Sequence, residues 1–375
     1  MKIIYISNAR IPTERAHGYQ TCKMCEEFSN QGMEVELWVP TRKNHIKEDV
    51  FSFYGVKNNF VIKKIKSFDF FQYEGYLGKF SFWLRNFWFV IKLLLIKIDK
   101  NAIIYTRDPE IGRAFNLKGN KTVLESHNWP ESKGWLFKYL IKKFDKIIII
   151  THKLKELFLV AGLPDSRMMV APDGVDLEKF DIKIDKIQAR KKLNLPLDKK
   201  IALYCGSLYL YDWKGVDIFL VAAKILPEDY LAVLVGGEPK EVIKIKKEYS
   251  GNNLLLVGRQ RREEIPYYLK AADVLILPNK KGEKISEKYT SPLKLFEYMA
   301  SRRPIVASNL PSIMEVMSEQ NCVFFDSDNP EDLANKIKLV FNDNDLAEKI
   351  AEQAYQDVKN YTWKKRVKNI INFIN

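Results

Sequence analysis

A chain of 375 residues with 46% hydrophobic content is too long for one ordinary core and fits two domains of ordinary size. Its four cysteines are too few for a disulfide-stapled scaffold, and Cys22-x-x-Cys25 beside Met24 on a helical period reads as reduced core thiols, not a redox pair or half a zinc site. The net charge is +14, and residues 1–200 hold 36 Lys+Arg against 23 Asp+Glu, an excess of 13, while residues 201–375 contribute only +1. A basic partner surface is therefore expected on the N-terminal half.

The predicted elements begin with Met1-Lys-Ile-Ile-Tyr-Ile-Ser7, a strand that lacks the long apolar region and cleavage site of a secretory signal, so a cytoplasmic protein is expected. Short apolar, β-branched runs follow at Val35–Val39, Ala102–Tyr105, Thr122–Glu125 and Lys146–Ile150, separated by segments long enough for helices. This is the pattern of a parallel sheet with crossovers. Between them, the aromatic and basic stretches Phe68–Tyr76 and Phe80–Lys97 include the apolar run Phe87–Ile98. Lys92 and Lys97 interrupt that run, and it falls short of the roughly 20 residues needed to span a bilayer. It suits a sheet-covering helix or peripheral contact with an anionic membrane face, on the inner side of the cell membrane.

Pro172 and Gly174 mark a turn and the join between the halves. A second series of strands is predicted at Ile201–Cys205, Leu231–Val235, Asn253–Val257, Val274–Leu277 and Pro304–Ala307. Helices alternate with them at Val216–Leu226, Pro239–Tyr249, Ile265–Ala271, Leu293–Ser301 and Pro311–Met317. The expected architecture is thus α/β, with two doubly wound, Rossmann-like parallel-sheet lobes and a cleft where ligands bind. The chain closes on an amphipathic helix over Tyr361–Phe373, with Trp363, Val367, Ile370 or Ile371 and Phe373 near one face.

Ligands of such sheets bind beyond the carboxyl ends of the strands, which directs attention to the loops. After the first strand, the His17-Gly18 turn enters a helix, and Gly18 would let a ligand approach the backbone closely. Arg107 stands at the next strand end, either as a site residue or paired with Asp108. Glu125-Ser-His127 places a histidine at a strand end among polar groups. In the second lobe, Gly206-Ser207 leads through Trp213 to Lys214 at a helix mouth. The spacing matches neither a P-loop nor a G-x-G-x-x-G fingerprint. Arg259 and Gln260 offer a rim for a flat base. Asp326-Ser-Asp328 is flanked by residues that read as a strand end and a helix cap, so no metal is expected there. In Ser291-Pro-Leu-Lys-Leu-Phe-Glu297, Ser291 is expected to cap a helix with Pro292 at its first position, giving an anion-binding mouth. Lys294 in that first turn opposes the helix dipole, so it either awaits an anion or pairs with Glu297 at i,i+3.

In this order and spacing, the His17-Gly18 loop, Glu125-Ser-His127, Pro172-Asp-Gly-Val-Asp176, Gly206-Ser-Leu with Trp213-Lys-Gly215, Gly258-Arg-Gln and Ser291–Ala300 resemble the retaining, nucleotide-sugar-dependent glycosyltransferases of family 4. The match covers nearly the whole chain. The resemblance implies the GT-B fold, two Rossmann-like domains facing across a cleft. An acceptor domain would span residues 1–170, a nucleotide-sugar domain 171–358, and residues 359–375 would form a helix packing back on the N-terminal domain. It implies that Glu297 holds the donor ribose, that Gly206, Ser207, Lys214, Arg259, Gln260, Ser291, Pro292, Leu293 and Lys294 belong to the donor site, and that His127, Lys214 and Lys294 serve catalysis. His17, Gly18 and Arg107 would face the acceptor. The implied donor is a nucleoside diphosphate sugar acting as substrate, the acceptor a glycan or lipid-linked glycan in surface polysaccharide or glycolipid synthesis. Neither cofactor nor metal is implied. Retention would follow front-face attack, a donor phosphate oxygen taking the acceptor proton.

Two positions depart from the family pattern. Tyr289 stands where a Glu is usual, eight residues before Glu297, and Ser207 where an Arg is usual. Lys294 is the expected substitute for that missing charge, as a point cation without the guanidinium fork. The competing readings are a nucleotide-sugar epimerase or phosphorylase on the same fold, and a non-catalytic basic binding protein at a membrane or on nucleic acid. The absence of helix-turn-helix, zinc-finger or RNP-like signatures argues against nucleic acid.

Overall fold

The structure is a computed structural model, and it describes residues 1–68, 79–130, 134–208, 212–249 and 251–375. Residues 69–76 of the aromatic stretch and 209–211 of the Gly206 loop lie outside the described residues. The chain divides into a unit comprising Met1–Ala171 with Trp363–Asn375, and a second comprising Pro172–Thr362.

The first unit carries seven parallel strands, β1 (Lys2–Ile6), β2 (Glu34–Pro40), β3 (Val61–Ile65), β4 (Ile103–Thr106), β5 (Thr122–Ser126), β6 (Lys146–Ile149) and β7 (Met168–Val170), in the order β3-β2-β1-β4-β5-β6-β7. The second carries six, β8 (Lys200–Cys205), β9 (Tyr230–Val235), β10 (Leu254–Gly258), β11 (Val274–Leu277), β12 (Ile305–Ser308) and β13 (Val323–Phe325), in the order β10-β9-β8-β11-β12-β13. In each unit the strand order reverses beside the first strand, where β1 pairs with β4 and β8 with β11. A doubly wound sheet opens its ligand crevice at that switch point, beyond the strand carboxyl ends.

Alternation along the strands fills both faces of the second sheet. Leu203, Val233, Leu275 and Ile305 pack with Leu295, Phe296 and Met299 on one side. Ala202, Leu234, Ile276 and Val306 pack with Phe219, Leu333 and Ile337 on the other. Burial on both faces explains why these strands read as continuous apolar runs.

Strand β3 was not among the predicted runs. Its Val61-Ile-Lys-Lys-Ile65 sequence is half polar because it is an edge strand, and charge protects an edge from pairing with other chains. The terminal helix begins at Trp363, and its buried face consists of Trp363, Arg366, Val367, Ile370, Ile371 and Ile374. Phe373 is not on that face; it is half-buried, with the Lys146 ammonium 4.2 Å from its ring centroid. Cys22 and Cys25 are buried free thiols. Within the Lys79–Leu94 helix, Phe89 and Leu93 pack against the first sheet beside Ile4, Ile6 and Ile104, while Phe87 stays 64% exposed and Leu95, just beyond, 75%. Among the described residues, no helix is long and apolar enough to cross a membrane.

Candidate active site

At the switch point of the second unit, the loops after β8, β9 and β11 lie backbone to backbone. Gly206 donates its N–H to Val235 O at 2.9 Å. A Cβ on Gly236 (φ +125°) would stand 2.0 Å from Gly206 O, and one on Gly215 (φ +65°) 1.7 Å from Pro278 O. Only glycine accepts both the close approach and the backbone angle. The result is a narrow floor from which Gly206, Ser207 and Lys214 rise.

Lys214 closes a 3₁₀ turn, Asp212–Lys214, and its ammonium donates to Ser207 Oγ at 2.6 Å. Burial brings its pKa down to about 8. Lys294 sits in the first turn of the Leu293–Ala300 helix, with its nitrogen 4.0 Å from the Tyr204 ring centroid and 3.4 Å from where a Gly206 Cβ would be. That nitrogen is buried, and it has no hydrogen-bond partner among the described residues. Burial, then the charge of Lys214, holds its pKa well below the usual lysine value. Two ammonium groups thus converge on one glycine loop at a helix N-terminus, an arrangement suited to a multiply charged anion.

Of the two readings of Lys294, the pair with Glu297 does not form. Glu297 is buried and bonded to Arg262 from the loop after β10, so its charge is already met across 35 residues of sequence. Ser291 does not cap the helix either. Pro292 is the N-cap residue and supplies no side-chain bond, while Ser291 Oγ accepts the Asp173 N–H at 2.9 Å. The first-turn N–H groups consequently lack a side-chain cap, which leaves the mouth more open to an anion than the expected cap would. Leu293 opens the helix.

Arg259 and Gln260 do not join the two lysines. Arg259 pairs with exposed Glu238 at 3.0 Å, and Gln260 Nε2 donates to Val257 O at 3.3 Å. Sequence reasoning missed Arg262, whose only signal was the basic run Arg259-Gln-Arg-Arg262. It also missed Tyr298, whose buried hydroxyl accepts the Cys205 N–H at 2.8 Å and fixes the end of β8. Tyr289 is buried at the end of a π-helical turn, Ile285–Tyr289, a form frequent at functional sites.

In the first unit, strand ends β4 and β5 and the Ala16–Asn30 helix bring together Arg107, His127 and Gln20. Arg107 donates to Gln20 Oε1 at 2.7 Å instead of pairing with Asp108, whose carboxylate accepts the Asn8 N–H. His127 Nε2 lies 2.7 Å from Glu125 Oε1. Burial, then Arg107, lowers the His127 pKa to about 4. His17 is likewise brought to about 4 by burial, Arg107 and Arg15. Gly18 has a different reason than ligand approach: a Cβ there would lie 2.0 Å from Tyr54 Oη, which bonds the Thr13 backbone on both sides.

Residues 185–357 match the family of glycosyl transferases group 1, and residues 18–179 match glycosyltransferase family 4. An uncharacterized glycosyltransferase of Methanocaldococcus jannaschii is 28% identical over 239 residues, covering 62% of this chain and 58% of that protein. The N,N'-diacetylbacillosaminyl-diphospho-undecaprenol alpha-1,3-N-acetylgalactosaminyltransferase of Campylobacter jejuni is 27% identical over 232 residues, covering 60% and 59%. The chain thus spans under two thirds of the length of these curated relatives. Among solved structures, Anabaena Alr3699/HepE in complex with UDP superposes with a TM-score of 0.76 at 17% identity, covering 99% of both chains.

Proposed function

Because this chain belongs to the group 1, family 4 glycosyltransferases, with the two Rossmann-like domains of the GT-B fold, we propose that it transfers a sugar, with retention, from a nucleoside diphosphate sugar to a glycan or lipid-linked acceptor. The observation that carries this reading is the Lys294 ammonium, buried at a helix mouth beside Lys214 and without a hydrogen-bond partner among the described residues. A diphosphate leaving group develops about two units of charge as the glycosidic C–O bond breaks, and preorganised cations at that point stabilise the transition state more than the ground state. In this reading Lys214 and Lys294 take the diphosphate, with Gly206, Ser207 and the open N-terminus of the Leu293–Ala300 helix around it. Glu297, oriented by Arg262, accepts the ribose hydroxyls.

The acceptor oxygen attacks the anomeric carbon from the face the diphosphate leaves. The leaving oxygen keeps the bonding electron pair, and a phosphate oxygen takes the acceptor proton. His127 serves the transferred sugar, and His17 and Arg107 the acceptor. The UDP held by the Anabaena structure and the diphospho-undecaprenol named for the Campylobacter relative are compatible with such donors and acceptors. The basic N-terminal half and the exposed Phe87 and Leu95 support peripheral contact with an anionic membrane.

A thermal-shift panel of uridine, guanosine and adenosine diphosphates and their sugars tests the donor. A ligand at 100 times its Kd adds about 2.7 kcal/mol of stability, and the shift should vanish in Lys214→Ala combined with Lys294→Met. No response to any member of the panel would overturn the reading. Nucleoside diphosphate released only when acceptor is present would support transfer, whereas an isomerised donor would refute it.

A further inference from the structure

Glu125 is a carboxylate inside the first unit, with its side chain inaccessible to solvent. Alone there it would take up a proton. Instead its two oxygens are saturated: Oε1 meets His127 Nε2 at 2.7 Å, Arg366 Nη2 at 3.3 Å and Gln20 Nε2, and Oε2 receives the Tyr105 hydroxyl. Arg366 comes from the last helix of the chain, Trp363–Ile374, and is itself 5% exposed. Its neighbours Lys364 and Lys365 point to solvent, so the fold selects one cation from a basic run.

The orientation of Gln20 follows from Arg107. A guanidinium only donates, so Gln20 turns its oxygen to Arg107 and its Nε2 to Glu125. His127 Nε2 therefore stands between an acceptor, Glu125 Oε1, and a donor, Gln20 Nε2 at 3.3 Å. Which of them it bonds depends on the charge of Glu125. A carboxylate draws a proton onto Nε2; a carboxylic acid would not. Within the first unit, Tyr5 on β1, Tyr105 on β4 and Cys25 on the Ala16–Asn30 helix also face Glu125, and all three are held neutral by burial.

We infer that Arg366 is a positioning residue for His127: it keeps Glu125 a carboxylate, which fixes the Nε2–H tautomer and presents His127 Nδ1 as an acceptor for a substrate hydroxyl. Burial favours protonation of Glu125, but Arg366, then His127 and Arg107, outweigh it and hold that carboxyl well below its usual range. Arg366 and Arg107 also discourage a second proton on the imidazole. The value of this device to the reaction rests on the glycosyltransferase reading above; the tautomer itself does not.

Arg366 also donates to Ala171 O at 3.2 Å and reaches Met24 Sδ at 2.7 Å, so its loss will lower stability whatever its effect on His127. The test therefore reads the histidine directly. The chain has four histidines, which makes ¹⁵N-histidine NMR of the full-length protein assignable with one His127→Ala control. In the wild type, His127 should be a neutral Nε2–H imidazole from about pH 8 down to about pH 5. In Arg366→Gln the Glu125–His127 pair should take up a proton, with loss of the neutral Nε2–H form, at a pH higher by about 1 unit or more, and Arg366→Lys should restore the wild-type profile in large part. A wild-type Nδ1–H tautomer or imidazolium at neutral pH would overturn the inference without any variant, as would unchanged ¹⁵N shifts in Arg366→Gln whatever its Tm. Full turnover by His127→Ala of the nucleotide sugar chosen by the thermal-shift panel would instead refute the role of His127 in transfer and leave the tautomer assignment standing.

Discussion

Replacing Lys294 with methionine should stabilise the ligand-free protein and weaken its hold on a diphosphate. Methionine keeps the length and volume of the side chain, so the change chiefly removes a buried ammonium that has no hydrogen-bond partner among the described residues. Burying such a group costs about 1–3 kcal/mol, partly recovered on the Tyr204 ring face. A net gain of about 1–2 kcal/mol corresponds, for a unit of this size, to a rise in Tm of roughly 2–8 °C.

The sign with pH follows from the lowered pKa. Between the folded value and 10.5 the unfolded chain holds the extra proton, so the penalty from Lys294 is largest at low pH and fades as pH rises to 10.5. Lys294→Met should flatten that slope. A charge-assisted bond to phosphate is worth about 1.5–3 kcal/mol, so affinity for the responsive nucleoside diphosphate should fall roughly 10- to 150-fold. Thermal denaturation across pH, with and without the diphosphate, gives both numbers on one sample. A variant that is less stable than wild type and binds within about twofold of it would show that Lys294 merely packs against Tyr204.

Other outcomes can be checked separately. An anion between Lys214 and Lys294 raises both lowered pKa values, so binding near pH 8 to 9 should take up protons; calorimetry in two buffers of different ionisation enthalpy should show uptake, and Lys214→Ala should reduce it while weakening binding about tenfold. Glu297→Gln should raise the KM for the nucleotide sugar and leave inorganic diphosphate binding nearly unchanged, as expected of a group that serves the ribose and not the phosphates. Gly236→Ala should destabilise the protein by about 1–3 kcal/mol and abolish the response to diphosphate, since its Cβ would enter the Gly206 carbonyl that shapes the loop.

Most strands were legible because strands of a parallel sheet covered by helices are largely apolar along their length, and β1, β2, β4, β5 and β6, like β8 to β12, show that locally. Edge strand β3 was not, since its lysines answer a need for solubility at the sheet rim and carry no burial pattern. Lys294 was legible for a related reason: a cation in the first turn of a helix conflicts with the helix dipole, and that conflict is local. Who partners whom was not. Lys294 and Glu297 stand one turn apart and invite pairing, yet Arg262 takes Glu297 and leaves the ammonium facing the loop. Gly18 read as room for a ligand, but Tyr54, distant in sequence, fills the space.

The sequence by itself determined two α/β units with parallel sheets, the loops that end their strands, and the family those loops resemble, because periodicity, caps and turn residues act over a few positions of chain. Only the tertiary structure decided that Arg262 orients Glu297, that Ser291 bonds Asp173 and caps nothing, and that Arg366 reaches back to Glu125 beside His127. These pairings join residues 35, 118 and 241 positions apart. A charge or a hydroxyl finds such a partner through burial and desolvation in the folded core, and spacing along the chain does not encode it.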